Sequence, residues 1–256
     1  MNPRLSPLME KATHCVAFWA DLAMPNFISE DDIEKAAIRL LAEKHGYRTL
    51  NCYTADLENL NDKSNRADKQ QVAFLDILKA SAIALNPSIP AETIEQALEQ
   101  LTSSRAAMSP LLANKTVYGF IRDGIQVEFE NAQGKAEKEI VRLIDFEHPE
   151  ANDFCAVTQL WIKGELYPRR PDILIYVNGL PLVFIELKNS NVKVRNAYED
   201  NLTHYKRDIP VLFQYNMFCI LSNAMETKVG SAIAGYEYFF GSSGDRVGDF
   251  GPKSHL

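Results

Sequence analysis

The feature that most constrains the fold of this 256-residue chain is a predicted β-hairpin at residues 169–190, RRPDILIYVNGLPLVFIELKNS. Two short apolar runs flank Asn178-Gly179, a dipeptide that favours a tight turn between antiparallel strands. Asp172 opens the first run, and Glu186 and Lys188 lie near the end of the second. A tight hairpin pairs the start of its first strand with the end of its second, so we expect these three ionisable side chains to lie close together.

The three ionisable side chains have two chemical interpretations. Two neighbouring carboxylates repel each other unless a cation lies between them, and oxygen ligands with room for water suit Mg²⁺. A lysine beside such a metal can orient an attacking water and offset phosphate charge, a combination suited to the hydrolysis of a phosphodiester. The alternative is a surface salt bridge at a strand end, which is common and nearly neutral in energy. The residues alone leave both interpretations open.

The charge of the chain is unevenly distributed. A net charge of −7 at pH 7 argues against a protein that wraps nucleic acid, yet residues 163–207 carry eight basic and five acidic side chains. This segment is either a local basic surface or a set of scattered, solvated charges. No apolar run approaches the roughly 20 residues that a membrane helix needs, and the four cysteines form no CxxC pair. We therefore expect a protein of the reducing cytoplasm without membrane association.

The pattern of the remaining chain predicts a mixed α/β fold. Residues 29–45 have helical spacing with Ser29 as a candidate N-cap, and residues 192–207 also have helical spacing. Two further helical stretches lie between residues 56 and 110. From residue 117 onward apolar and polar residues alternate with a period of two, as they do in β-strands. Strands are expected at residues 47–53, 125–130, 138–145 and 154–163, and within 210–222.

The spacing of the hairpin residues matches a known motif. Residues 171–188 read P-D-x13-E-L-K, which resembles the PD-(D/E)xK nuclease motif. The sequence RRPDILIYVNGLPLVFIELKN resembles the N-terminal nuclease domain of the restriction (R) subunit of type I restriction enzymes. So do VRLIDFEHPEANDF before it and YKRDIPVLFQYNMFCILSNAMETKVGS after it. The resemblance covers residues 28–230 and is weakest at residues 56–110.

The resemblance implies a restriction-endonuclease-like core, a mixed sheet flanked by helices, and Mg²⁺-dependent cleavage of double-stranded DNA. Asp172 and Glu186 match the metal-binding carboxylates of the family, and Lys188 matches its catalytic lysine. An acidic residue of the first core helix often joins such sites, and Glu34 is the first choice for it, with Glu30 the second. Both acids also suit the positive end of a helix without any further role.

The family also has a Gln-x-x-x-Tyr element after the lysine, associated with DNA contact and nuclease function. Tyr205 matches its tyrosine, and Asn201 replaces its glutamine with a side chain one methylene shorter. A packed core aromatic is the alternative for Tyr205. The basic residues that we expect to contact DNA are Arg169, Arg170, Lys193 and Lys206. For the two arginines, which directly precede the strand, a solvated strand end is the alternative.

In the family an ATP-driven DNA translocase follows the nuclease domain, and methyltransferase and specificity subunits complete the restriction-modification complex. This sequence has no G-x-x-x-x-G-K-[ST] phosphate-binding loop. We therefore expect these residues not to bind ATP, which in the family is used by the motor region. We divide the chain into an N-terminal extension (1–27), an endonuclease domain (28–240) with a helical insertion (56–110), and a flexible tail or start of a motor region (241–256). Two alternatives are a non-cleaving DNA-binding and assembly module that docks to a methyltransferase complex, and a stand-alone nuclease of a repair or mobile-element system.

Overall fold

A seven-stranded mixed β-sheet organises the protein. The computed structural model describes residues 27–131 and 133–241. The sheet consists of β1 (Arg48–Asn51), β4 (Phe154–Thr158), β7 (Ile173–Val177), β8 (Leu180–Leu187), β9 (Phe218–Ser222), β10 (Thr227–Gly230) and β11 (Phe240–Gly241), in that spatial order. The pairs β1–β4 and β8–β9 are parallel, and the other neighbouring pairs are antiparallel. Two small antiparallel sheets pair β2 (Ile125–Glu130) with β3 (Ala136–Val141) and β5 (Ile162–Lys163) with β6 (Pro168–Arg169).

Helices flank this sheet. They are α1 (Glu30–Glu43), α2 (Leu75–Leu85), α3 (Ala91–Thr102), α4 (Pro110–Asp123), α5 and α6 (Pro210–Phe213). The segment α5 consists of Val194–Asn196, a π-helical stretch Ala197–Leu202, and Thr203–Asp208. The mixed sheet with its helices confirms the predicted mixed α/β class and agrees with a restriction-endonuclease-like core. None of the described helices has the length and hydropathy needed to cross a membrane.

Helix α1 forms where the sequence predicts it. The Ser29 side chain accepts a hydrogen bond from the Asp32 backbone N–H at 3.1 Å, as an N-cap does. Its buried stripe, Ile33, Ala37 and Leu41, recurs every four residues and contacts the core. The helix packs against β1 and β8, so its first turns lie beside the end of β8 that carries Glu186.

The predicted hairpin is present as β7 and β8. Asn178 and Gly179 both adopt positive φ, at 50° and 81°, as a tight two-residue turn requires. Every residue of both strands is buried, so both faces of the hairpin are covered by other parts of the protein. The hairpin therefore lies in the middle of the molecule, with neighbours β4 and β9 on either side.

A β-bulge sets the register at the open end of this hairpin. Next to the turn Tyr176 pairs with Pro181, but beyond the shift Ile175 pairs with Val183, which leaves Leu182 as an extra residue on β8. Continuing the shifted register places Asp172 opposite Glu186. A hairpin without the bulge would place Asp172 opposite an isoleucine, and Glu186 would face the other side of the sheet.

The helical segment between β1 and β2 packs onto the turn of the hairpin. The Phe74 ring stacks on Tyr176 with centroids 4.1 Å apart, and the Phe74 N–H donates to the Gly179 carbonyl at 2.9 Å. The Tyr176 hydroxyl donates to the Val72 carbonyl at 2.8 Å. Buried residues of α2 and α3, such as Leu78, belong to the same core as the sheet. The predicted helices between residues 56 and 110 are thus part of the core packing.

Several predicted boundaries were wrong. Strand-like alternation does not begin at residue 117 as predicted. Helix α4 runs to Asp123 and ends where Gly124 adopts a φ of 79°. The strand predicted at residues 154–163 breaks at Gln159, whose φ is 58°, so that β4 and β5 lie in different sheets. The strand predicted at 138–145 is β3, which begins at residue 136 and ends at 141. The predicted tail and N-terminal extension lie outside the described residues, apart from residues 27 and 241.

Candidate active site

The end of the hairpin gathers the three ionisable residues of the motif. The Leu187 N–H donates a 2.7 Å hydrogen bond to Asp172 Oδ2, which fixes Asp172 against β8. Lys188 Nζ lies 3.4 Å from Glu186 Oε1 and donates to the Leu187 carbonyl at 2.9 Å. Two carboxylates and one ammonium group therefore share one strand end.

Glu186 is a buried carboxylate and not part of a surface salt bridge. The residue is 1% exposed, and within the described residues its Oε2 has no hydrogen-bond partner. Burial, and then the neighbouring Asp172 charge, raise the pKa of Glu186 well above its ordinary value. Burial also raises the pKa of Asp172 to about 6, against the opposing effects of the Leu187 N–H and the Lys188 charge. A carboxylate oxygen that is buried without a partner is costly unless something else binds it.

Two acids of helix α1, Glu34 and Glu30, lie near the cluster of Asp172, Glu186 and Lys188. Glu34 Oε2 accepts a 3.0 Å hydrogen bond from Gln159 Nε2, and burial and the Asp172 charge raise the pKa of Glu34 to about 7. Glu30 Oε1 is 3.8 Å from Lys188 Nζ and accepts a 3.4 Å hydrogen bond from the backbone N–H of residue 189. Glu34 is thus coupled to Asp172, and Glu30 lies beside the lysine.

Tyr205 and Asn201 lie on α5, which packs against β8 and β9. The Tyr205 ring is buried edge-on against Phe184 at 5.4 Å between centroids, and its hydroxyl donates to the Arg170 carbonyl at 3.2 Å. Burial and the charges of Glu186 and then Asp172 raise the pKa of Tyr205, and a hydrogen bond with the Asn201 side chain opposes them. Tyr205 therefore packs in the core and also lies within electrostatic range of the two carboxylates.

The four basic residues predicted to contact DNA have different surroundings. Arg170 lies near the site, and its charge opposes the raised pKa of Glu34 and of Asp172. Arg169 Nε donates to Asp208 Oδ2 at 2.7 Å, so its guanidinium is held by an ion pair. Lys206 Nζ lies 4.9 Å from the centroid of the Tyr198 ring, and Lys193 is exposed just before α5. Their contact with DNA stays a prediction.

Asp172 and Glu186 fit a hard divalent cation. They supply closely spaced oxygen ligands with raised pKa values, and the free Glu186 Oε2 is a buried acceptor that a cation would satisfy. No group of three His, Cys, Asp or Glu side chains in the described ranges is arranged to hold a metal ion. Mg²⁺ is a cation that proteins often bind through one or two carboxylates while it keeps several water ligands.

Sequence reasoning missed two residues beside this site. Gln159 holds Glu34 from a left-handed backbone position at the end of β4, and Trp161 lies under Arg170, with 5.0 Å between its ring centroid and the guanidinium carbon. Neither belongs to a motif, and the sequence contains no local signal for either contact.

Comparison with known proteins identifies the family. Residues 27–238 match the family model described as the type I restriction enzyme R protein N terminus. The chain belongs to this family. The match covers the sheet except its edge strand β11, helices α1 to α6, and every candidate site residue named above.

Curated relatives of the family are type I restriction enzyme endonuclease subunits. The type I restriction enzyme HindI endonuclease subunit of Haemophilus influenzae is 36% identical over 217 residues, 83% of this chain and 20% of the relative. The type I restriction enzyme SsaAORF53P endonuclease subunit of Staphylococcus saprophyticus is 33% identical over 85 residues, 33% of this chain and 9% of the relative. The chain thus spans a fifth or less of the length of these two relatives.

Proposed function

We propose that this chain is a Mg²⁺-dependent nuclease domain of the PD-(D/E)xK type that cleaves double-stranded DNA. The single observation that supports this most directly is the strand end where Asp172, Glu186 and Lys188 meet around an unpartnered, buried carboxylate oxygen. Structural ion pairs satisfy their buried oxygens, whereas a site for a cation leaves one available. The names of the relatives, endonuclease subunits of type I restriction enzymes, support the same function.

Each site residue has a proposed role. Asp172 and Glu186 would hold the cation, and Glu34 is a third acid whose pKa is raised by the Asp172 charge. When bound, Mg²⁺ supplies Lewis-acid stabilisation of phosphate charge and lowers the pKa of a bound water. Lys188, 3.4 Å from Glu186 Oε1, orients the attacking water and offsets developing negative charge. Tyr205 donates a hydrogen bond to the carbonyl of residue 170, and Asn201 hydrogen-bonds Tyr205. Together they would hold the backbone just before Asp172 in place.

The wider setting of the domain is also a proposal. As part of a type I restriction-modification system, the domain would act in a complex with methyltransferase and specificity subunits, which would select the DNA. ATP would be used by a separate motor region. The basic residues Arg170, Lys193 and Lys206 would contact phosphates of the duplex without reading its sequence.

The test is cleavage of plasmid DNA by the purified chain with Mg²⁺ or Mn²⁺. We expect Asp172→Asn, Glu186→Gln and Lys188→Met each to lower the cleavage rate at least a hundredfold while the chain stays folded. Matched controls are Asp153→Asn and Lys163→Met, whose side chains form exposed ion pairs elsewhere; these variants should cleave at the wild-type rate. Full cleavage by all three site variants would exclude the assignment. DNA binding without cleavage under every condition would favour the assembly module.

A further inference from the structure

Arg170 is a cation beside the candidate site with no ion-pair partner among the described residues. Its guanidinium carbon lies 5.0 Å from the centroid of the Trp161 ring, a cation–π contact. No hydrogen bond from the guanidinium to another described residue is found, whereas the adjacent Arg169 is bonded to Asp208. The Arg170 charge also acts on both Asp172 and Glu34. Within the part of the chain that the structure describes, its donors are therefore available at the edge of the site.

The backbone of Trp161 is fixed by the irregular segment that precedes α2. Arg66 Nη2 donates a 2.9 Å hydrogen bond to the Trp161 carbonyl. Two residues further on, the Lys163 N–H donates to the Lys69 carbonyl at 2.8 Å. The residue between them, Ile162, is fully buried. Residues 66 and 69 thus hold the backbone on both sides of Ile162, and this backbone carries the Trp161 ring that contacts Arg170.

Residues 62–69 owe their own shape to a buried ion cluster. Asp62 Oδ2 lies 2.9 Å from Arg66 Nη2 and 2.7 Å from Lys69 Nζ, and all three side chains are at most 2% exposed. Burying these charges is expensive, and apolar packing of similar volume is often at least as stable. The ion pairs of this cluster hold Asp62, Arg66 and Lys69 in fixed positions relative to one another. The geometry that this cluster fixes includes the Trp161 carbonyl.

We propose that Arg170 binds a DNA phosphate next to the scissile bond, and that Trp161, held by the Asp62–Arg66–Lys69 cluster, is a positioning residue that presents Arg170 to it. This inference rests on the proposed function, because it assigns DNA as the ligand. It also gives a role to part of the segment between β1 and β2. A guanidinium stacked on an aromatic ring loses little further freedom when it binds a phosphate, and its planar donors match the phosphate oxygens.

The first measurement needs neither DNA nor metal. The sequence has two tryptophans, so Trp19→Phe leaves Trp161 as the sole indole emitter. In that background we expect Arg170→Gln to change the intensity or wavelength of Trp161 emission, because the cation above the ring is removed. Arg122→Gln is the matched control, since Arg122 lies over Tyr118 at 5.4 Å and should leave the indole emission unchanged. Identical emission with and without Arg170 would contradict the contact.

The second measurement is the affinity for a short duplex in EDTA, where no cleavage occurs. We expect Arg170→Gln to weaken binding about tenfold, Trp161→Leu about threefold to tenfold, and Trp161→Phe less than Trp161→Leu because the ring is kept. The double variant Trp161→Leu/Arg170→Gln should bind as Arg170→Gln alone does, since Trp161 acts through Arg170. Arg66→Met should resemble Trp161→Leu if urea unfolding shows that it folds.

The outcomes separate this inference from the proposed nuclease function. Weaker binding by Arg170→Gln and Trp161→Leu in a chain that never cleaves would refute the nuclease and keep the phosphate contact. A cleaving chain whose Trp161→Leu and Arg170→Gln variants bind and cleave as the wild type does would refute the phosphate contact alone. Additive losses in the double variant would refute the positioning role of Trp161, because two independent contacts add.

Discussion

Glu186 illustrates how a single residue links the fold to the proposed chemistry. Its position near the end of a central strand, with both faces of the sheet covered, leaves it 1% exposed. Lys188 contacts one of its carboxylate oxygens, and continuing the register of β7 and β8 by one residue places Asp172 opposite Glu186. The arrangement concentrates negative charge in the interior, which opposes folding in the absence of a cation. Such a local cost is typical of functional sites, where stability is given up for chemistry.

Glu186→Gln should therefore stabilise the cation-free protein. At pH 8 we expect the free energy of unfolding to rise by about 1 kcal/mol or more, because the substitution removes a buried charge beside Asp172. Urea unfolding in EDTA measures this change. The control is Glu58→Gln, which removes a 64% exposed glutamate paired with Lys163 and should change the free energy of unfolding by less than about 0.5 kcal/mol. A destabilised Glu186→Gln variant would show that the charge is satisfied in the folded state.

At the scale of the residue, the sequence predicted which ionisable side chains lie close together. The spacing of Asp172, Glu186 and Lys188, read with an Asn-Gly turn, predicted that they lie close together, although the pairing of Asp172 with Glu186 also needs a bulge that the sequence did not predict. The contacts of Gln159 and Trp161 were not predictable, because they depend on where β4 ends and on packing against distant segments. The same limit applies to Arg169, whose ion pair with Asp208 joins residues 39 positions apart in the chain.

At the scale of the element, the hairpin turn is constrained from outside as well as by its own backbone. A Cβ added at Gly179 would lie 2.6 Å from the Phe74 carbonyl oxygen and 2.8 Å from the Leu78 nitrogen, both backbone atoms of the segment packed on the turn. Gly134, in the turn between β2 and β3, has a similar φ of 71°, but no atom of the described residues lies within 4 Å of an added Cβ. An alanine at Gly134 meets only the cost of a left-handed backbone conformation, whereas an alanine at Gly179 also meets the cost of close packing.

Gly179→Ala should cost more stability than Gly134→Ala. We expect Gly134→Ala to lower the free energy of unfolding by about 1 kcal/mol, the cost of a left-handed conformation. For Gly179→Ala we expect about 3 kcal/mol, because the added methyl also displaces the segment that carries Phe74. Chemical denaturation of both variants measures the difference. Equal losses in the two variants would show that the segment moves away from the turn without cost.

The sequence predicted the existence of the elements better than their irregularities. Helix α1, strands β2, β7 and β8 and the turn between the latter follow from local patterns. The bulge at Leu182 does not, although the pairing of Asp172 with Glu186 depends on it. Helix α4 was missed because its apolar residues were read as the start of an alternating pattern, whereas its Ser109 cap and Pro110 were the better guide.

At the scale of the whole molecule, the site makes stability depend on pH. The pKa of Asp172 rises from 3.8 to about 6 and that of Glu34 from 4.5 to about 7. A carboxyl group whose folded-state pKa is raised binds protons more tightly in the folded chain, so its contribution to stability is complete below the ordinary pKa and is lost as pH rises through the raised one. Burial raises the pKa of Asp62, but hydrogen bonds from Lys69 and Ser64 together outweigh it, and the pKa falls from 3.8 to about 2. Its contribution is present above pH 4 and is lost below it.

In EDTA the free energy of unfolding should therefore fall as the pH rises from about 4.5 to about 7.5. We expect the loss to be about 2 kcal/mol after allowance for partial exposure of both groups. Adding Mg²⁺ should restore stability at pH 7.5 and have little effect at pH 5, where protons occupy the ligand oxygens. The variant Asp172→Asn/Glu34→Gln should have a flatter profile. A wild-type profile that is equally flat in EDTA would contradict the raised pKa values.

The contacts between the start of α1 and the end of β8 also affect when the site can form while the chain is being synthesised. Ile28 and Ser190 exchange two hydrogen bonds, of 3.0 and 3.1 Å, across 162 positions of the chain, and Gln159 reaches Glu34 across 125. Pairings of such separation form slowly and only after the distant partner has been made. A chain emerging from the ribosome lacks Tyr205 until nearly all of the domain has been translated, and β8 lacks its neighbour β9 for longer still. The candidate site is thus among the last parts of the domain to be completed, and a product of translation interrupted before residue 205 contains Asp172, Glu186 and Lys188 without Tyr205 or strand β9.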